Sequence, residues 1–336
     1  MTDTPSPALV AFLTTHVDAG PFVVTPITGG HSNETSLLSS PTGRWVLRRP
    51  PATAIAAGAN DLNRETRVLR ALAGTAVPVP RVIAFAEPGE VDERCCLVME
   101  HCDGLPLTDS WPEGWPDGVG IGDAGLAAVD VLAALHQVDP AAVGLADFGK
   151  PERYRERQVA RWRRQYEQNR MRDLPVFDVL GEWLEAHRPP ETAPAILHGD
   201  FHLDNCLIVP GPPTRVNAVI DWELATIGDP LVDLGLLLAF WGDERAAPIA
   251  MPKVQALTRA PGTPARSVLA ERYRDATGRS IDDLPFYLVL ALFKLAAIVE
   301  GAYARFLRGD DDSPWARSLG DDVPRLLADA ERLTRI

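Results

Sequence analysis

The chain has 336 residues, 46% of them apolar, with 33 basic against 46 acidic side chains and a formal net charge of −13. That apolar content fills a large core and argues against disorder as the main state, and the length suits two domains, or two lobes of one enzyme, over a single small module. The acidic balance argues against a nucleic-acid polymer as principal partner, though it leaves room for a local phosphate pocket.

No apolar run approaches the roughly 20 residues of a membrane helix, and the start "MTDTPSPALVAFLTTH" lacks a basic segment and a long apolar one. A soluble cytoplasmic protein without a membrane partner is expected, and no feature sets its oligomeric state.

In chain order, "FVVTPI", "TSLLSS" and "RWVLRR" read as strands separated by Gly, Pro and Ser. A helix follows in "NDLNRETRVLRALAG": Leu62, Thr66, Leu69 and Leu72 or Ala73 recur at helical spacing, Asn60 or Asp61 can cap the start, and Gly74 can end it. "RVIAFA" and "CCLVMEH" complete a small mixed sheet carrying one main helix.

From about Leu107 the periodicity is helical. After a loop in "EGWPDGVGIGD", helices are expected in "AGLAAVDVLAALHQV", "PERYRERQVARWRRQYEQNR", "VFDVLGEWLEAHR", "DPLVDLGLLLAFW", "PARSVLAERYRDAT", "DLPFYLVLALFKLAAIVEGAYARFL" and "DVPRLLADAERLTR". One island interrupts them, "AILHGDFHLDNCLIV" with "RVNAVIDWELATIGD", which reads as a short hairpin with polar loops. The fold class is therefore α+β, with a β-rich lobe over residues 1–101 and a larger, mostly helical lobe over 102–336. Cys95, Cys96, Cys102 and Cys206 have no paired metal spacing and read as buried thiols.

The island holds the chemistry. His198, Asp200, His202, Asp204 and Asn205 stand between "AIL" and "CLIV", an expensive place for polar groups without a task. In "HGDFHLDN" the spacing is H-x-D-x-x-x-x-N, and Asp221 ends an apolar strand sixteen residues beyond Asn205. Pairing "CLIV" with "NAVI" brings the two loops together. Transfer of a phosphoryl group from ATP to a hydroxyl needs one carboxylate to orient or deprotonate the hydroxyl, which suits Asp200. It also needs hard oxygen ligands for Mg²⁺, which suits Asn205 and Asp221. A surface turn with Asx capping is the alternative for the three.

"ITGGHSNET", "RWVLRRPP", "NRETRVLRAL", "LVMEHCDG", "ILHGDFHLDN", "VIDWELATIGDPLVDLG" and "FKLAAIVEGAYARFL" follow one another over roughly residues 27–307. In these motifs the chain resembles the aminoglycoside phosphotransferase family, a relative of the protein kinases. Within that family it resembles the branch similar to the kinase-like N-terminal domain of some acyl-CoA dehydrogenases. The resemblance implies a bilobal protein-kinase-like fold with ATP in the cleft, Asp200 as catalytic base, Asn205 and Asp221 as magnesium ligands, and His198 as a brace of the catalytic loop. It further implies that Gly29, Gly30, His31, Ser32 and Asn33 cover the phosphates, a geometry that the absence of a Cβ permits. Met99, Glu100 and His101 would lie along the hinge that receives adenine.

Kinase-like enzymes usually place a lysine on the third strand, paired with a helix glutamate. Here "WVLRRP" offers Arg48, with Arg49 sent to the opposite face by strand alternation, and Glu65 is the natural partner. Arginine keeps the charge, but its fork is bulkier than an ammonium. An ordinary surface ion pair is the alternative.

His202 and Asp204 are equally well read as site residues or as scaffolding, His136 reads as a hydrogen-bonded core histidine, and Asp229 and Asp233 as helix-start carboxylates bracing the loop. Eight arginines between Arg153 and Arg172 form either a solvated face or a contact for an anionic acceptor. The expected activity is ATP- and Mg²⁺-dependent phosphorylation of a small-molecule hydroxyl, with a metabolite such as a hydroxyacyl-CoA ranked above an aminoglycoside or other antibiotic. A nucleotide-binding pseudoenzyme is the alternative, favoured only by Arg48.

Overall fold

The computed structural model describes residues 5–27, 33–51, 61–242, 256–260 and 262–335. In its N-terminal part β1 (Val23–Pro26), β2 (Glu34–Ser40), β3 (Gly43–Arg49), β4 (Val82–Ala86) and β5 (Cys96–Glu100) form one sheet in the order β1-β2-β3-β5-β4. Every pairing is antiparallel, which corrects the expected mixed sheet. The helical connection does carry the chain from β3 to a strand running the same way, but β5 returns between the two.

Alternation sends Cys96 and Val98 of β5 to one face and Leu97 and Met99 to the other, so a strand covered on both sides reads as a continuous apolar run. The first face is closed by α1 (Pro7–His16), whose Leu9 and Leu13 pack with Leu38 and Leu47. The sequence reading did not anticipate this helix, because apolar side chains surround it instead of forming one stripe. Its start is conventional, with Pro7 in the first turn and the Ser6 hydroxyl accepting from the Leu9 N–H at 3.2 Å.

The second face receives α2 (Leu62–Leu72), capped by Asp61, which accepts from the N–H groups of Asn63 and Arg64 at 3.1 and 3.2 Å. Leu62, Glu65, Thr66, Leu69 and Leu72 form its buried stripe, so Glu65 occupies a core position.

The C-terminal part contains α3 (Ile121–Gln137), α4 (Tyr154–Asn169), α5 (Pro175–Ala186), α6 (Leu231–Phe240), α7 (Arg266–Thr277), α8 (Leu284–Arg308), a short α9 (Pro314–Ser318) and α10 (Asp322–Leu333). α8 packs against α4, α5, α6, α9 and α10. By length and composition it could cross a membrane, contrary to the expectation that no run would, but 78% of its most apolar stretch is buried inside the fold. Tyr166, Phe177 and Phe293 stack in series, with centroids 3.9 and 4.1 Å apart, and join α4, α5 and α8. α6 approaches α8 closely at Gly235, where a Cβ would stand 2.7 Å from the Tyr287 carbonyl oxygen.

The polar island forms two small sheets where one hairpin was expected. β7 (Cys206–Val209) pairs with β8 (Arg215–Val219), Cys206 opposite Val219, as the apolar runs predict. β6 (Ala195–Leu197) instead pairs with β9 (Thr226–Gly228). All four cysteines are free; Cys95, Cys96 and Cys206 are buried and Cys102 is half-buried.

Candidate active site

The polar loop leaves β6 at His198 and enters β7 at Cys206, and its shape is imposed from inside the fold. Asp233, in the first turn of α6, accepts the N–H groups of His198 and Gly199 at 2.7 and 2.9 Å. The His198 Nδ1 accepts the Asp200 N–H at 3.2 Å and its Nε2 lies 2.9 Å from the Ile220 carbonyl, an arrangement that assigns the ring proton to Nε2. Burial lowers the His198 pKa against the pull of Asp233, consistent with that neutral form. Gly199 has φ +85°, and a Cβ there would meet the Leu224 carbonyl oxygen at 2.5 Å, so only glycine fits the turn that presents Asp200.

Asp200 sits with its side chain 34% exposed, Oδ2 at 3.3 Å from His202 Nε2 and Oδ1 at 3.4 Å from Lys294 Nζ. Burial opposes the charge on this carboxyl, but the His202 hydrogen bond and the Lys294 ammonium outweigh it and hold the pKa well below the usual carboxylate range. Burial likewise pulls His202 down, yet Asp200 and Asp204 on either side push it up to about 9. His202, left open by the sequence, thus meets Asp200 directly.

Asn205 donates from Nδ2 to the Asp200 carbonyl at 2.9 Å, and its own carbonyl accepts the Ile220 N–H at 2.9 Å. Those two bonds bring Asn205 beside Asp221, as the predicted hairpin requires. Asp221 is one of two described non-glycine residues with positive φ, at 65°, a conformation that concentrates at functional sites. Its Oδ1 lies 3.2 Å from Arg48 Nη2, while Arg48 Nη1 reaches Glu65 Oε1 at 2.5 Å. Arg49 faces away and pairs with Asp92. The Arg48–Glu65 pair is therefore buried, not a surface contact.

Burial pushes Glu65 up to about 7 against the pull of Arg48, with Asp221 and Glu223 adding negative charge. Burial also opposes the Arg48 charge, and attraction to Glu65, Asp221 and Glu223 overcomes it and raises the Arg48 pKa. One guanidinium thus faces three carboxylates, and surplus negative charge lies beside Asp221, whose side chain is 36% exposed. That surplus and the hard oxygens of Asn205 and Asp221 suit Mg²⁺, which takes one or two carboxylates together with phosphate oxygens and water. Among the described residues no cluster of three His, Cys, Asp or Glu side chains forms a ready-made cage.

Of the expected phosphate loop, Gly29, Gly30, His31 and Ser32 lie outside the described residues, as does the alternative cap Asn60. Asn33 is buried and donates to Glu223 Oε2 at 3.4 Å, reaching from the sheet lobe to the "IDWE" turn. Met99 is buried opposite Val46 and Val82, and Glu100 donates its N–H to the Arg81 carbonyl at 2.9 Å. His101 follows, half-buried, and the chain is then tied to β7 by paired backbone bonds between Leu105 and Ile208 at 2.9 and 3.0 Å.

His136 is buried, with Nδ1 at 2.7 Å from the Tyr273 hydroxyl and Nε2 at 3.5 Å from Asp233. Asp229 accepts the Tyr287 hydroxyl at 2.7 Å and pairs with Arg155 at 3.0 Å. Of the eight arginines, six make ion pairs or hydrogen bonds: Arg153 with Glu156, Arg155 with Asp229, Arg157 with backbone carbonyls, Arg163 with Glu185, Arg170 with Asp173 and Arg172 with Glu300. Sequence reasoning missed Glu223 and Lys294. The available signal for Lys294 was a lone charge inside "FYLVLALFKLAAIV".

The profile described as the phosphotransferase enzyme family (APH) matches residues 23–271. Acyl-CoA dehydrogenase family member 11 of Rattus norvegicus is 34% identical over 301 residues, 86% of this chain and 37% of that protein. Member 10 of Mus musculus is 32% identical over 319 residues, 93% of this chain and 29% of that protein. The chain thus spans well under half the length of these curated relatives.

A crystal structure of a Ralstonia eutropha protein named for aminoglycoside phosphotransferase aligns with a TM-score of 0.83 and 35% identity over 100% of this chain and 99% of that one. A thermostable aminoglycoside phosphotransferase mutant in ternary complex with ADP and hygromycin B shares the fold at a TM-score of 0.60 and 18% identity, covering 97% and 96% of the two chains. With a sheet lobe and a helical lobe meeting at this loop, the chain belongs to the phosphotransferase enzyme family, has its kinase-like α+β fold, and falls in the branch shared with acyl-CoA dehydrogenase family members 10 and 11.

Proposed function

We propose that this chain transfers the γ-phosphoryl group of ATP to a hydroxyl of a small metabolite such as a hydroxyacyl-CoA. Residues 1–101 would form the nucleotide lobe of a cytoplasmic enzyme and 102–336 its catalytic and acceptor lobe. The observation that carries the reading is the Asp200 carboxylate beside His202, tied through Asn205 to the turn where Asp221 meets Arg48. Hydroxyacyl thioesters are favoured over antibiotics by the names of the relatives, acyl-CoA dehydrogenase family members 10 and 11.

In this reading Asp200 orients the acceptor hydroxyl and takes its proton as the new oxygen–phosphorus bond forms and the bond to the ADP leaving group breaks. Arg48, steadied by Glu65, holds the α- and β-phosphates, and Asn33 with Gly29, Gly30, His31 and Ser32 covers them. Met99, Glu100 and His101 border the adenine. Asn205 and Asp221 would hold Mg²⁺, which when bound supplies charge neutralisation at the β- and γ-phosphates. The Arg48 pair with Glu65 also weighs against the pseudoenzyme, because the arginine reaches the helix partner that a lysine would.

Asp200→Asn tests the assignment. It is expected to lower kcat by about 10²–10⁴-fold, the usual worth of a positioned general base, while Mg²⁺-ATP affinity, read by thermal shift, stays within about tenfold. Wild-type-like turnover in that variant would remove Asp200 from the mechanism.

A further inference from the structure

Beyond its pairing with Asp200, one neighbour of that carboxylate keeps a donor that the transfer reading leaves unused. Lys294, in the middle of α8 with its side chain 8% exposed, donates to the Gly199 carbonyl at 2.7 Å and lies 3.4 Å from Asp200 Oδ1. Its ammonium also faces the Trp162 ring of α4 at 5.7 Å. Lysine is rarely buried, and the eight residues that precede it in α8, Phe286 to Phe293, are all apolar or aromatic and buried, so its place calls for a task. An ammonium has three donors. Gly199 and Asp200 take two, and the third makes no hydrogen bond among the described residues, the Trp162 ring apart.

Among the described residues, the groove beside His202 carries little of the acidic lining that a polycation would require. Leu107, Leu237, Phe240, Trp241 and Leu257 line a shallow groove beside His202, with Asp204 as its one carboxylate among the described residues. On the α4 side Arg161 stacks over the same Trp162 ring at 4.8 Å.

We propose that Lys294 is a specificity-determining residue for the phosphoryl acceptor. Its remaining N–H donates to an oxygen close to the reactive hydroxyl, as in a hydroxy acid or hydroxyacyl thioester, and its charge excludes acceptors with an ammonium group beside that hydroxyl, as in aminoglycosides. This inference rests on the phosphoryl-transfer reading and on Asp200 meeting the hydroxyl. Nζ and Oδ1 are 3.4 Å apart, so the two acceptor oxygens they engage lie a few ångströms from each other, the separation of a hydroxyl and a carbonyl two or three carbons away. A cation brought to the same place meets Lys294 where reduced dielectric makes repulsion between like charges much stronger than in water.

The experiment uses two thioesters with the same coenzyme A handle. 3-Hydroxybutyryl-CoA carries the hydroxyl alone, and carnitinyl-CoA carries a quaternary ammonium beside it. Both are titrated by calorimetry into wild type, Lys294→Gln and Lys294→Arg; glutamine keeps a donor for the Gly199 carbonyl without the charge. Wild type is expected to bind 3-hydroxybutyryl-CoA at least about tenfold more tightly than carnitinyl-CoA, with the ratio falling below about threefold in Lys294→Gln and restored in Lys294→Arg.

A ratio unchanged in Lys294→Gln, as from a merely structural lysine that weakens both probes alike, overturns the proposal. So does a wild type that prefers carnitinyl-CoA or binds neither probe. Should Lys294→Gln not fold, the ratio in wild type and Lys294→Arg decides: about tenfold or more in both supports it, and near unity in either overturns it. Phosphorylation of 3-hydroxybutyryl-CoA is read separately by mass spectrometry. A bound but unmodified probe counts against the transfer reading and leaves the affinity ratio to judge Lys294.

Discussion

Arg48 carries the widest set of consequences of any single residue, because its guanidinium joins β3 to α2 through Glu65 and to the "IDWE" turn through Asp221. Breaking a buried pair by removing one member leaves the other charge unmatched, which is why such deletions are far more damaging than loss of a surface pair. Arg48→Met is expected to lower the unfolding free energy by about 3–5 kcal/mol in urea titration, with part regained on adding Glu65→Gln. Equal stability of wild type and Arg48→Met would show that the pair does not hold the lobe together. Strand alternation set Arg48 and Arg49 on opposite faces, and the family resemblance pointed to Arg48 as the inward one and to Glu65 as its partner. The second contact of Arg48, to Asp221, was not legible, since it spans 173 residues of sequence.

Among the elements, α8 organises the helical lobe. It supplies Lys294 to the Asp200 loop and Tyr287 to Asp229, and it packs closely on α6, whose Asp233 clamps the same loop. The α6–α8 approach depends on Gly235, where an added methyl meets backbone that cannot rotate away. Gly235→Ala is therefore expected to destabilise by about 1–3 kcal/mol, seen as a lowered Tm; an unchanged Tm would mean that the two helices can part without loss. The long helices were plain in the sequence because their apolar stripes repeat over several turns. α1 and α9 were not, the first being apolar nearly all round and the second only five residues long.

For the whole molecule, buried charge-capable groups set the response to pH. Burial lowers the His136 pKa from its usual 6.5 against the pull of Asp233, with Tyr273 hydrogen-bonded to the ring and Arg279 and Asp229 also nearby. The unfolded chain therefore binds this proton first, so the stability from the neutral ring is complete above pH 6.5 and is lost as pH falls below it. Wild-type Tm is expected to drop more steeply between about pH 7 and 5 than that of His136→Gln; parallel curves would exclude His136 as the cause. By itself the sequence determined the α+β division, the antiphase of Arg48 and Arg49, and the pairing of the two polar loops, because each follows from local periodicity or from two adjacent apolar runs. Only the tertiary structure decided the antiparallel insertion of β5, the second small sheet, and the closing of Lys294 and His202 on Asp200. Those depend on how distant segments pack, and no local pattern encodes which buried cation will face which carboxylate.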